Sequence, residues 1–227
     1  MTTITDTNRG SRSVVIPAGV MLQGDLSIPP NAKGIVVFAH GSGSSRLSTR
    51  NQRVAARLQG GGFATLLFDL LTADEETRDA ATGHLRFDIP MLAERLAAAT
   101  DWLASQPQTH ALKAGYFGAS TGAAAALVAA ATRPEVRAVV SRGGRPDLAG
   151  PYLGRVHAPT LLIVGGDDGP VIGMNQSALG QLSAAVKDMV IVPGATHLFE
   201  EPGALEQVAE LALDWFERHL AHATVAK

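Results

Sequence analysis

The sequence predicts an α/β protein in which a mostly parallel sheet has helices on both of its faces. Continuous apolar runs, such as residues 35–39 and 160–164, are typical of strands that are buried on both sides. These runs alternate with stretches of helical length and helical periodicity. The chain has 227 residues, of which 46% are hydrophobic and 18% charged, and this suits one domain with a full core.

The first strands are expected to pair antiparallel. Residues 1–12 are polar, and we expect a flexible tail there, outside a single domain that spans residues 13–227. Two short apolar runs, residues 14–17 and 20–26, are separated by Ala18-Gly19, which suits a hairpin turn.

Strands and helices then alternate. The buried strand 35–39 is followed by a helical stretch, 52–59, that ends at three glycines, and by the apolar strand 63–68. Residues 69–87 are polar and irregular, so a long connection is expected there. Pro90 suits the first turn of the next helix, since its missing N–H is not needed at that position.

The second half repeats this alternation. Apolar runs predict strands at residues 114–117, 136–140, 160–164 and 189–192. Helical patterns predict helices at residues 123–131 and 171–182, and a closing amphipathic helix through residues 205–216. The total is eight strands. Residues 141–157 are too few for a helical cap, so no large cap domain is expected.

Composition argues against several classes of function. The formal net charge is −2 with no basic block, which argues against a nucleic-acid partner. There is no cysteine, so disulfides, thiolate catalysis and cysteine-based zinc sites are excluded. No apolar run approaches the roughly 20 residues that span a membrane, and the polar start lacks a secretory signal pattern. We therefore expect a cytoplasmic protein without a metal or organic cofactor, and leave open a homodimer.

Gly118-Ala119-Ser120-Thr121-Gly122 is the most informative segment. It is a G-x-S-x-G motif between an apolar strand and an alanine-rich helix, the setting of a nucleophile elbow. Ser120 would lie exposed at the end of the strand, above a helix N-terminus. The alternative is a glycine-rich turn in which Ser120 only caps the helix.

A serine nucleophile needs a base, and the base needs an acid to orient it. His197 is the candidate base because it follows a predicted strand and comes after Ser120 in the chain, although it could also be a surface histidine. The acid should follow the strand between them. That strand leads into Asp167 and Asp168, and both carboxylates are candidates.

The oxyanion of a tetrahedral intermediate needs backbone N–H donors. The predicted donors are the amides of Thr121 and Ser42, with Gly43 as an alternative to Ser42. The Gly/Ser loop that contains Ser42 and Gly43 could instead bind phosphate, but the spacing and lysine of a P-loop are missing.

Arg142 and Arg46 are candidate substrate-binding residues because they lie near the strand ends where ligands bind in such sheets. In the pocket, either would favour a substrate with a carboxylate or phosphate. Either could equally be a solvated surface arginine. Residues 70–88 are expected to close part of the pocket.

The chain resembles the α/β-hydrolase superfamily and, within it, the dienelactone hydrolase family. The resemblance rests on four segments in family order: 40–43 (HGSG), 118–122 (GASTG), 165–168 (GGDD) and 194–197 (GATH). It implies the α/β-hydrolase fold and places the acid at Asp168. The family's named members use cysteine, whereas this chain has serine, so their lactone substrate is not implied. A closer resemblance is to bacterial proteins with the segment HGSGSSR, some of them fused to phosphoribosyltransferase domains.

These observations predict a serine hydrolase that acts on small carboxylic esters, thioesters or lactones. Ser120 would attack, His197 would move the proton and Asp168 would orient His197. Two alternatives remain: an acyltransferase with the same three residues, and a binding module without catalysis.

Overall fold

A computed structural model describes residues 10–221 of the chain. Its strands are β1 (Ser11–Pro17), β2 (Met21–Ser27), β3 (Ile35–Ala39), β4 (Ala64–Phe68), β5 (Ala114–Ala119), β6 (Val139–Arg142), β7 (Thr160–Gly165) and β8 (Lys187–Val192). They form one eight-stranded sheet in the order β1-β2-β4-β3-β5-β6-β7-β8. Only the β1–β2 and β2–β4 pairs are antiparallel. The predicted fold, an α/β-hydrolase sheet of eight mostly parallel strands, is confirmed.

Helices pack on both faces of this sheet. They are α1 (Thr49–Gly60), α2 (Ala73–Thr82), α3 (Ile89–Ser105), α4 (Thr121–Thr132), α5 (Gly169–Gln181) and α6 (Ala204–His219). Strand residues alternate between two buried clusters, because successive side chains point to opposite faces. Val37 belongs to the cluster beneath α3 and α4, whereas Phe38 belongs to the cluster beneath α1 and α6. No helix between residues 10 and 221 is long and apolar enough to cross a bilayer.

Strands β1 and β6 each begin three residues away from the predicted position. Strand β1 begins at Ser11, so Ser11 and Arg12 belong to the sheet and not to the predicted tail. The rest of that tail, residues 1–9, lies outside the described residues, as do residues 222–227. Strand β6 runs from Val139 to Arg142 and not over residues 136–140, because its register follows its pairing with β5 and β7.

The predicted long connection at residues 69–87 contains helix α2 and a short 3₁₀ helix, Leu85–Phe87. Helix α2 begins in a capping box: the Thr72 hydroxyl accepts from the Glu75 N–H, and the Glu75 carboxylate accepts from the Thr72 N–H. The expectation of an irregular segment was wrong because these local hydrogen bonds stabilise a helix despite its polar composition.

Residues 141–157 form no large cap. They contain a 3₁₀ segment, Pro146–Arg155, which kinks at Gly150 and packs against α4 and α5. The carboxyl ends of β3, β5, β7 and β8 therefore stay accessible, and the predicted catalytic and oxyanion residues follow β3, β5, β7 and β8.

Candidate active site

Ser120 occupies a sharp turn between β5 and α4. Its backbone has φ 51° and ψ −122°, a region that side-chain-bearing residues rarely adopt. The flanking glycines are required by close packing: a Cβ on Gly118 would press into the backbone of Ala123, and one on Gly122 into the backbone of β3. The strained turn holds the Ser120 side chain at the carboxyl edge of the sheet.

The structure brings Ser120, His197 and Asp168 together. The Ser120 hydroxyl lies 3.3 Å from Nε2 of His197. Nδ1 of the same ring lies 2.6 Å from Oδ2 of Asp168 and donates its hydrogen to that carboxylate. This bond places the acceptor nitrogen of a neutral imidazole toward Ser120. The distance of 3.3 Å is of the kind that shortens when a substrate binds.

Of the two candidate carboxylates, Asp168 reaches His197 and Asp167 does not. The side chain of Asp167 is exposed to solvent, and its backbone N–H donates to the carbonyl of Ala195. That bond and the close packing of Gly165 against Ala195 join the loop after β7 to the loop after β8. The two loops are thereby held at the separation that the histidine–carboxylate bond needs.

The predicted oxyanion donors lie side by side. The N–H of Thr121 is the first of helix α4 and lies next to Ser120 in the chain. The N–H of Ser42, however, donates to the side-chain hydroxyl of Thr121 at 2.8 Å. Ser42 therefore lies beside Thr121, but its N–H already has a partner, which the sequence did not indicate.

His40 has a structural position that the sequence left unassigned. It is 6% exposed, and its Nε2 accepts from the N–H of Leu70 at 2.9 Å. Its Nδ1 lies 3.0 Å from the carbonyl of Gly41 and donates to it. Burial lowers the pKa of His40, so the ring is neutral near pH 7. His40 thus ties the loop of residues 40–45 to the loop after β4.

A cavity of about 310 Å³ lies beside this loop. Residues 40–45 and Thr121 form one wall, next to the nucleophile. Another wall contains Leu70, Leu71, Glu76, Asp79, Arg86 and Leu92. Most of this wall belongs to residues 70–88, the segment that was expected to close part of the pocket.

The two predicted substrate-binding arginines lie elsewhere. Arg46 forms ion pairs with Asp69 and, at 3.3 Å, with Asp25, and it lines a different groove. Arg142 is the last residue of β6 and is 6% exposed, with its guanidinium 6.0 Å from the ring of Phe199. Successive side chains of β6 point to opposite faces of the sheet, so the Arg142 side chain points toward the face covered by α1 and α6. It does not line the cavity. Burial and the charge of Arg50 lower the pKa of Arg142 to about 10.

Within residues 10–221, no group of three or more histidine and acidic side chains is placed to hold a metal ion.

Comparison with known proteins agrees with the geometry. The model of the dienelactone hydrolase family matches residues 22–222. The chain belongs to this family. Among solved structures, a dienelactone hydrolase from Anabaena variabilis ATCC 29413 is 62% identical with a TM-score of 0.90, over 92% of this chain and 98% of that one. Est1E from Butyrivibrio proteoclasticus, at 16% identity and a TM-score of 0.75, covers 91% of this chain and 98% of its own, and shares the fold.

A Mycobacterium tuberculosis H37Rv protein that carries the provisional name phosphoribosyl transferase is 61% identical over 207 residues. The match covers 91% of this chain and 46% of that protein. This member of the dienelactone hydrolase family therefore spans less than half the length of that relative, and the relative's name describes a longer protein. Hydrolase is the class of activity that the family and its esterase-like neighbours support.

Proposed function

We propose that this chain is a serine hydrolase that cleaves carboxylic esters, thioesters or lactones through an acyl-enzyme on Ser120. The observation that carries the proposal is the continuous path from Ser120 Oγ through the His197 ring to the Asp168 carboxylate, with distances of 3.3 and 2.6 Å. Membership of the dienelactone hydrolase family supports a hydrolase, and a serine in place of the family's cysteine keeps the same nucleophilic position.

The first half-reaction uses each of these contacts. Ser120 Oγ attacks the carbonyl carbon while its proton passes to Nε2 of His197. The tetrahedral intermediate collapses as the imidazolium gives that proton to the leaving alcohol or thiol. Asp168, which accepts the Nδ1–H, stabilises the positive ring throughout. Water then attacks the acyl-enzyme by the same route, and releases the acid and free Ser120.

The negative oxygen of each intermediate would be held by the N–H of Thr121 at the start of α4, where the helix dipole also favours a negative charge. The N–H of Ser42 is the proposed second donor. It would be shared between the oxyanion and the Thr121 hydroxyl, or released by rotation of the Thr121 side chain.

Replacement of the nucleophile tests the proposal directly. Ser120→Ala should lower the hydrolysis of p-nitrophenyl acetate on the order of 10⁴-fold or more and leave the circular dichroism spectrum unchanged. A fluorophosphonate probe should label the parent protein and the control Ser105→Ala, whose serine is exposed, but not Ser120→Ala. Turnover by Ser120→Ala within tenfold of the parent would refute the assignment.

The same assay distinguishes hydrolysis from transfer of the acyl group to another acceptor. Product analysis with added alcohols or amines should give the free acid as the main product if water is the natural acceptor. Failure of the probe to label Ser120, together with no turnover of any ester, would indicate a binding module instead.

A further inference from the structure

We infer that the cavity beside the nucleophile selects substrates with a positively charged group, and that Glu76 is the residue that selects them. The inference rests on the proposed function, because the charged group would belong to the acyl or the alcohol part of the ester. It is carried by the position of Glu76 in the cavity wall and by the charges around it.

Glu76 lies in the first turn of α2, is exposed to solvent, and lines the cavity together with the loop of residues 40–45. The same cavity is also lined by Ser42 and Thr121, the residues whose amides are the two proposed oxyanion donors. The volume of about 310 Å³ is large enough for a short chain with a terminal group.

The other acidic side chains near this cavity already have cationic partners. Asp79 accepts from Arg86 at 2.6 Å and from the backbone N–H of Leu85. Asp69 is paired with Arg46. For the Glu76 carboxylate, in contrast, the hydrogen bonds and ion pairs found within residues 10–221 include none, although its backbone N–H donates to the carbonyl of Thr72. Its carboxylate is thus free to meet a ligand.

The electrostatic surroundings of Glu76 favour a positive ligand. Partial burial and the negative charge of Asp69 both raise the pKa of Glu76, and the charge of Arg86 opposes them. A cation bound next to Glu76 would offset the repulsion between the negative charges of Glu76 and Asp69. A carboxylate or phosphate in the same place would add a like charge. Arg46 and Arg142 do not line this cavity, and Arg86, which does, is already paired with Asp79.

The apolar residues of the cavity wall favour a cation that carries methyl groups. Leu70, Leu71 and Leu92 lie around the same space as Glu76. Methyl groups of an ammonium ion would pack on these leucines while the charge faces the carboxylate. The proposed substrates are therefore esters whose acyl or alcohol part ends in an alkylammonium group.

The test compares esters that differ only in charge. On the alcohol side the pair is acetylcholine and 3,3-dimethylbutyl acetate. On the acyl side it is the p-nitrophenyl esters of 4-(trimethylammonio)butanoate and 5,5-dimethylhexanoate. In the parent protein the cationic member of at least one pair should have the higher kcat/KM, by about threefold to tenfold for a partly exposed charge pair.

Glu76→Gln should abolish this preference and leave kcat/KM for the neutral esters within about twofold, since it keeps the shape of the side chain and removes the charge. Asp74→Asn is the matched control, because Asp74 also lies in the first turn of α2 but does not line the cavity. The control should retain the preference. Equal kcat/KM for both members of each pair, or a preference that survives in Glu76→Gln, would overturn the inference while the esterase assignment stands.

Binding supplies a readout that does not depend on turnover. Calorimetry on Ser120→Ala should show tighter binding of the cationic than of the neutral ester, and the double variant Ser120→Ala/Glu76→Gln should bind both equally. If no ester is hydrolysed by the parent but this difference in binding is found, the proposed function fails and the cation site stands. No difference in binding or turnover refutes the cation site.

Discussion

Asp167 and Asp168 are neighbours in the chain, but their carboxylates have different surroundings. Asp168 points into the site and accepts from His197, whereas Asp167 points into solvent. The sequence alone presents them as equals, because both follow β7 and both could end its turn. The direction of each side chain is set by the packing of the loop after β7 on the loop after β8, which a local pattern does not contain.

Asp168→Asn should therefore be far more damaging than Asp167→Asn. An amide in place of the carboxylate favours the wrong tautomer of His197 and lowers kcat on the order of 10⁴-fold in a comparable triad. Asp167→Asn should change kcat by less than about threefold, as expected for a surface substitution. The measurement is kcat for p-nitrophenyl acetate in both variants. If Asp167→Asn is the damaging change, the assignment of the acid is wrong.

His40 makes the protein sensitive to acid. Its pKa lies below the ordinary value of 6.5 in the folded protein because the ring is buried. As the pH falls below about 6.5, the unfolded chain takes up the proton first, so the free energy of unfolding decreases. Protonation of the folded form would also break the bond that Nε2 accepts from Leu70.

His40→Gln should reduce this sensitivity, because the glutamine oxygen can accept from the Leu70 N–H without taking up a proton. The fall in Tm between pH 7.5 and pH 5 should be smaller than in the parent. His84→Gln, which changes an exposed histidine, is the control and should leave the fall unchanged. A fall as steep in His40→Gln as in the parent would show that other groups cause the acid sensitivity.

At the level of elements, the sequence predicted the strands and turns whose residues follow a local pattern. The buried runs that became β3, β4, β5 and β7 were identified because both faces of these strands are covered, and their residues are apolar without a break. The G-x-S-x-G motif was identified because the sharp turn at Ser120 leaves no room for a Cβ at the two flanking positions, so both must be glycine.

Helix α2 was missed because its stability depends on few residues. Its two buried residues, Glu75 and Asp79, are acidic, so the sequence shows no apolar stripe there. The signal that could have identified the helix was the Thr72-x-x-Glu75 capping box. The second source of stability is a long-range contact. Glu75 forms a buried ion pair with Arg95 of α3 at 2.6 Å, and Arg95 also donates to the carbonyl of Leu70. No local pattern contains that pair.

This ion pair predicts a large effect on stability. Arg95→Met should lower the free energy of unfolding by about 3 kcal/mol or more, because it leaves the Glu75 carboxylate buried without a partner. The double variant Arg95→Met/Glu75→Gln should recover part of the loss. Urea unfolding of the parent, the two single variants and the double variant measures the coupling. Losses that simply add would mean that the two side chains do not stabilise each other.

At the level of the whole molecule, the site lies where the order of the sheet reverses. From β3 the chain moves outward to β4 on one side, and then crosses to β5 on the other side and continues to β8. Loops that leave β3 and β5 in opposite directions open a crevice between them, which is the usual position of ligand sites in such sheets. The loop of residues 40–45 and the nucleophile Ser120 form the two sides of this crevice.

The hydrophobic core connects the closing helix to this site. One buried cluster extends from Phe216 of α6 to Phe199, which lies two residues after His197. Phe199 is 1% exposed and has φ 56°, so a strained backbone is held there by packing. The two phenylalanines belong to the same core, but only Phe199 lies in the loop that positions the base.

Truncation of these two side chains should distinguish a residue that stabilises only the fold from one that also positions His197. Phe216→Ala and Phe199→Ala should each lower the free energy of unfolding by about 3–5 kcal/mol, because each removes a buried aromatic ring. Only Phe199→Ala should also lower kcat in the fraction that stays folded, by about tenfold to a hundredfold, because His197 would move relative to Ser120. Denaturant unfolding and the kcat for p-nitrophenyl acetate at low temperature measure the two effects, with Phe216→Leu as a milder variant if Phe216→Ala does not fold. An equal loss of kcat at both positions would mean that the site depends on the whole cluster and not on the loop after β8.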